Sequence, residues 1–130
     1  MAEMTDDVHP RVMEVISQAV ELEATNDTAF AEQILTALVE EFPKVAIAHG
    51  YLAWILSRCG RNREAIEHGR VAVQLSPKSE RVSLLFFRVL WGASERNQAL
   101  NEMKRFVAIG HSDEYSKLME EWKEISNEVQ

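Results

Sequence analysis

Residues 46–79 read AIAHGYLAWILSRCGRNREAIEHGRVAVQLSPKS, and their pattern decides the fold. Ile47, Tyr51, Leu52, Ile55 and Leu56 recur at three- and four-residue spacing, as on one face of a helix. Cys59-Gly60-Arg61-Asn62 interrupts, and Ala65, Ile66, Val73 and Leu75 then resume the period. Gly60 suits the left-handed residue that ends a helix. Pro77 pushes Ser76 out of the helical region and so closes the second helix. The stretch therefore predicts a helix, a tight turn and a helix.

The same unit stands on either side. Phe42-Pro43 and Ser76-Pro77 lie 34 residues apart, and Ala31, Ala65 and Ala99 repeat at the same interval. Two independent markers with one period divide the chain into repeats at residues 12–45, 46–79 and 80–113, followed by a tail from 114 to 130. Asn26 and Ser94 fall at the phase of Gly60, and Asp27 or Thr28 and Ser94 are candidate caps for the helices that follow. The small alanines sit early in each second helix, where a larger side chain would hold it away from its partner. A helix pair of this length buries too little alone, so the pairs are expected to stack into a single all-α domain, a superhelical array with one concave side. Leu118, Met119, Trp122, Ile125 and Val129 make an apolar stripe in the tail, with Glu120, Glu121, Glu124 and Glu128 between them, which suits a capping helix.

At 130 residues, 46% hydrophobic and 27% charged, the chain has the make-up of one folded domain, and disorder is excluded. The formal charge is −7, which opposes binding to nucleic acid or anionic membranes. That charge is unevenly spread. Residues 1–45 hold 2 basic and 10 acidic side chains, residues 46–110 hold 10 and 5, and residues 111–130 hold 2 and 6. A basic middle between acidic ends would steer an acidic partner to the second and third repeats, or pair one copy with another. The lone Cys59 and the lack of a basic start before an apolar run lead us to expect a cytoplasmic protein without a signal peptide, and no stretch is apolar enough for a membrane span.

The pattern resembles the tetratricopeptide repeat family, whose 34-residue motif runs Trp, Leu-Gly, Tyr, then Ala, Phe, Ala, Pro. The resemblance covers Val12 to about Asp113 and is closest in the second repeat, with Leu52-Ala53, Leu56, Gly60, Glu64-Ala65-Ile66-Glu67, Ala72 and Pro77. The first repeat keeps Leu22, Ala31, Leu35 and Pro43; the third keeps Phe86, Leu90, Ala99, Met103 and Phe106. His49 and Ser83 stand in place of the Trp, Gly69 in place of the large aromatic, and His111 in place of the last proline. Gly69 implies either a hole or a close helix approach.

The resemblance implies a right-handed superhelical array of antiparallel helix pairs, and binding rather than chemistry: a protein-protein interaction module that takes a partner peptide or helix in a concave groove. Carried over by phase, that groove would be lined by Met13, Ile16, Val20, Ile47, Gly50, Tyr51, Trp54, Arg58, Arg81, Leu84, Leu85, Arg88 and Trp91. Its ligand would be apolar and acidic. Members that clamp the terminal carboxylate of heat-shock chaperones use Lys and Asn where Ile16, Val20 and Tyr51 stand here, so that ligand is not expected. The alternative is a chaperone or adaptor for a secretion or assembly subunit, by likeness to small type III secretion chaperones. Trp54 and Trp91 read either as anchors for the ligand or as core. An open groove would need a cover: a partner, a second copy in a homodimer, or residues 1–8 folded back.

Other classes have less support. The chain has no phosphate loop, no paired-cysteine spacing and no serine elbow, so neither an enzyme nor a cofactor is expected. His49, Cys59 and His68 form no known metal spacing, although Arg58 and Arg61 could lower the Cys59 pKa. The basic residues of the middle repeats fall on turns, second helices and groove alike, which ranks RNA binding below protein binding.

Overall fold

Three turns share one backbone geometry. Asn26, Gly60 and Ser94, spaced 34 residues apart, all have positive φ, at 68°, 82° and 65°. Each reverses the chain between the two helices of a pair, as the sequence pattern predicts for the left-handed position. Of the cap candidates, Asp27 fulfils the role, its side chain accepting from the Phe30 N–H. Ser94 does not, because it occupies the left-handed turn itself and Glu95 becomes the N-cap without a side-chain bond.

The computed structural model describes residues 9–129, with side chains through residue 123. Its elements are α1 (Pro10–Ala24), α2 (Thr28–Glu41), α3 (Ala46–Arg58), α4 (Asn62–Leu75), α5 (Glu80–Gly92), α6 (Arg96–Val107) and α7 (Asp113–Val129). The helices pair as α1 with α2, α3 with α4 and α5 with α6, and each later pair packs on the one before. Ala31, Ala65 and Ala99 are fully buried where the second helix of each pair meets the first. The fold is all-α, and no strand occurs among the described residues.

One core cluster runs through the first two pairs and a second through the third pair and α7. Tyr115, Leu118, Met119 and Trp122 dock α7 on that second cluster; the side chains of Ile125 and Val129 lie outside the described residues. Gly69 marks a close approach rather than a hole. A Cβ built there would stand 2.5 Å from the Phe86 ring.

His49 and Ser83, which occupy the place of the motif Trp, pin their repeats with hydrogen bonds. His49 Nε2 lies 2.8 Å from the Pro43 carbonyl, which can only accept, so Nε2 carries the proton and Nδ1 accepts from His68 Nδ1–H at 3.2 Å. The third repeat places Ser83 opposite Glu102, 34 residues on from His49 and His68. Arg105 donates to the carbonyl of Pro77, the counterpart of Pro43. The first repeat puts Val15 and Ile34 at this phase, where apolar packing takes the place of the hydrogen bond.

Burial, and then the nearby His49, hold the His68 pKa below the ordinary imidazole value, against a smaller opposing pull from Glu67 and Glu64. A lowered folded-state pKa means the unfolded chain binds the proton first. The contribution is thus complete above the unfolded pKa and lost as pH falls through the folded one. Melting temperature is expected to fall from about pH 7.5 to about pH 5.5, with a shallower slope in His68→Gln. Identical slopes in the two proteins would sink this account.

Candidate functional site

The first helices α1, α3 and α5, continued by α7, carry two adjoining clefts. One, of about 530 Å³, lies between α5 and α7 and is lined by Phe87, Arg88, Trp91, Gly92, Glu114, Lys117, Leu118, Glu121 and Trp122. The other, of about 590 Å³, is formed by Glu23, Asn26 and Thr28 with Trp54, Ser57, Arg58, Arg88 and Gly92. Arg88 and Gly92 belong to both, so the clefts meet at the end of α5. Gly92 leaves the junction open: a Cβ there would meet only Ser57 Oγ, at 3.7 Å.

Apart from Trp91 and the arginines, the predicted groove residues divide into three groups. Ile16, Leu84 and Leu85 are 3, 5 and 6% exposed and belong beneath the surface, and Gly50 is buried with them, so these four are corrected from lining to support. Leu85 fills the space above Gly50, its Cδ1 3.1 Å from where a Cβ would be. Met13 and Val20 are exposed but line neither cleft. Ile47, Tyr51 and Trp54 are half-buried against the first core, and Tyr51 meets Trp54 edge to face at 5.9 Å. Trp54 alone of these three reaches a cleft.

Trp91 has its faces occupied. It stacks on Trp122 at 5.3 Å and on Phe87 at 5.7 Å, and the Arg96 guanidinium sits 4.6 Å over its ring. Such contacts add roughly 1 kcal/mol each to plain burial, so Trp91 helps hold α7 while contributing to the cleft wall. Trp91 thus has a packing role together with a place on the cleft wall.

Two of the three arginines are ion-paired, and the third is hydrogen-bonded to a neutral hydroxyl. Arg58 pairs with Glu23 at 2.7 Å, Arg88 with Glu114 at 2.6 Å, and Arg81 donates to the Tyr51 hydroxyl at 3.0 Å. Lys117 and Glu121 add one charge of each sign to the α5–α7 cleft. The wall is therefore close to electrically balanced, which removes the basis for preferring an acidic ligand there. Phe87, Gly92, Leu118 and Trp122 were not singled out as groove residues. Extending the 34-residue phase past residue 113 would have found two of them: Trp122 stands at the phase of Trp54, and Leu118 at that of Leu84.

Cys59 is exposed, and its thiol pKa is raised, first by burial of the sulfur environment and then by the Glu32 charge, which together outweigh Arg61. The expectation of an acidified thiol is thus reversed. Arg61 instead bonds Glu32 and Glu64, and it lowers the Glu64 pKa. Cys59 lies near Glu32 rather than the His49–His68 pair. Among the described residues no group of three or more His, Cys, Asp or Glu is placed to hold a metal ion, and no helix is long and apolar enough to cross a membrane.

Neither a protein-family model nor a curated protein matches the sequence. Solved structures do match. The TPR domain of Sgt2 from Aspergillus fumigatus superposes with a TM-score of 0.73 at 18% identity, covering 93% of this chain and 82% of that one. A point mutant of MamA superposes with a TM-score of 0.62, also at 18% identity, covering 85% and 80%. Seven helices with a 34-residue period, three left-handed turns and these neighbours establish that the chain has the tetratricopeptide-repeat fold.

Proposed function

We propose that the protein is a protein-protein interaction module that takes a partner segment across the face formed by α1, α3, α5 and α7. The junction of the two clefts at Arg88 and Gly92 carries this reading. The α5–α7 cleft, walled by Trp91, Trp122, Phe87 and Leu118, suits a bulky apolar side chain. Its neighbour offers Glu23, Asn26, Thr28, Ser57 and Arg58 for polar groups of the same segment. Chaperone and adaptor roles are narrower forms of this capture and differ in the partner rather than in the face. The balanced charge supports a partner chosen by shape and apolar contact over one chosen by acidity.

The test fills the junction. Gly92 is exposed at the end of α5, and a side chain there meets only Ser57, so Gly92→Leu should fold normally. Peptides selected from a random display library against the wild-type chain should bind this variant about tenfold more weakly or worse. Selected peptides that bind both proteins equally would place the partner site elsewhere.

A further inference from the structure

The opposite edge of the array, on α1 and α2, carries an apolar cleft of about 490 Å³ lined by Gln18, Glu21, Leu22, Thr25, Phe30 and Ile34. No repeat precedes this edge among the described residues, so Leu22 is only half-buried, whereas its counterparts Leu56 and Leu90 are buried. Phe30 is 49% exposed at a position where the later repeats carry Glu64 and Gln98. Ile34 likewise stands where they carry His68 and Glu102. An aromatic ring set out to solvent at a position that is otherwise polar marks a surface built for contact.

Charge selects the occupant. Described residues 9–45 hold seven acidic side chains against Arg11 and Lys44, and Arg11 is already paired with Glu41 at 2.7 Å. Glu21 lies in the cleft wall, and Glu14 precedes Gln18 by one turn on the same face of α1. Residues 1–8 hold Glu3, Asp6 and Asp7 and no base, so they would meet like charge here. A second copy offering its own α1–α2 edge or its α7 end would do the same, since both ends are acidic, and in its basic middle Arg58, Arg61, Arg88 and Arg105 are already ion-paired. We propose that this edge is a second docking surface, separate from the paired clefts, for a partner's amphipathic helix with an apolar face and lysine or arginine along its flank.

Calorimetric titration of the full chain with a synthetic helix bearing leucine on one face and lysine on the other tests the proposal. Phe30→Gln, which installs the residue of the third repeat at an exposed site, should weaken binding about tenfold, while Gly92→Leu should leave it unchanged. The leucine-glutamate counterpart should fail to bind. Four outcomes would overturn the proposal. They are unchanged binding by Phe30→Gln, equal binding of the acidic helix, a doubled mass in light scattering that Phe30→Gln reverses, and tenfold tighter binding once residues 2–8 are removed. The third would make a second copy the occupant, the fourth the chain's own amino terminus. Because the paired clefts are probed by Gly92→Leu and this edge by Phe30→Gln, failure at one surface leaves the other standing.

Discussion

Gly69→Val is expected to lower unfolding free energy by about 3 kcal/mol, read as a drop in the urea midpoint with an unchanged slope. The cause is overpacking at the contact between the second and third helix pairs. A Cβ at this position would lie 2.5, 3.1 and 3.4 Å from Phe86 Cδ1, Cε1 and Cγ. Phe86 is 5% exposed, packed in the second core and overlain by the Arg70 guanidinium at 5.7 Å, so its ring has little room to move aside. Alanine brings the same first carbon but also gains up to about 1 kcal/mol of helix propensity over glycine, which partly offsets the clash. Valine lacks that compensation and adds two methyls. The control is a double-mutant cycle with Phe86→Leu, which removes the ring the Cβ strikes. Gly69→Ala should be close to neutral in that background and destabilising in the wild type. If the two substitutions add without coupling, the close approach is not what fixes glycine here.

This position also marks how far the sequence could be read. Period, turn residues and the buried alanines are local signals, fixed by backbone geometry within each helix pair, and Asn26, Gly60 and Ser94 adopt the conformation their spacing predicts. Whether Gly69 leaves a hole or admits a ring depends on the position of the next repeat, which local pattern does not contain. The same limit explains the arginines. Arg58 and Arg88 stand on the predicted face, yet their partners Glu23 and Glu114 come from helices 35 and 26 residues away. Sequence spacing could place the charges but not their neutralisation. Burial at a groove edge is equally tertiary: Leu84 and Leu85 follow the phase but lie under the surface, Leu84 in the cluster that α6 and α7 join and Leu85 against Gly50 of α3. What remained readable, and was missed, was the pair of polar positions at one phase, His49 with His68 and Ser83 with Glu102. A polar residue recurring where the family places an aromatic, matched by another on the facing helix, is a signal for a buried hydrogen bond.

Glu102→Ala is expected to cost about 3 kcal/mol or more, because its carboxylate closes a buried network that joins α5, α6 and α7. Glu102 Oε2 accepts from Ser83 Oγ at 2.7 Å and from Arg105 Nη2 at 2.6 Å, while Oε1 accepts from Arg105 Nε at 3.0 Å. Having given its only proton to Glu102, Ser83 must accept from the Tyr115 hydroxyl, 2.8 Å away. The protons therefore run from Tyr115 to Ser83 to the carboxylate, and burial, aided by the Glu102 charge and opposed by the Ser83 hydrogen bond, drives the Tyr115 pKa upward in keeping with a phenol that stays protonated. Removing Glu102 leaves the fully buried Ser83 hydroxyl without its acceptor and takes from the part-exposed Arg105 its ion pair, leaving it the Pro77 carbonyl. Ser83→Ala and Tyr115→Phe together should cost less than the Glu102 change, since both partners of one bond vanish and Arg105 keeps its ion pair. Tyr115 lies in the first turn of α7, so the Glu102 variant should also loosen the Trp91–Trp122 stack and shift tryptophan emission to the red. A Glu102→Ala protein within about 1 kcal/mol of wild type, with unmoved emission, would show that apolar packing alone seats α7.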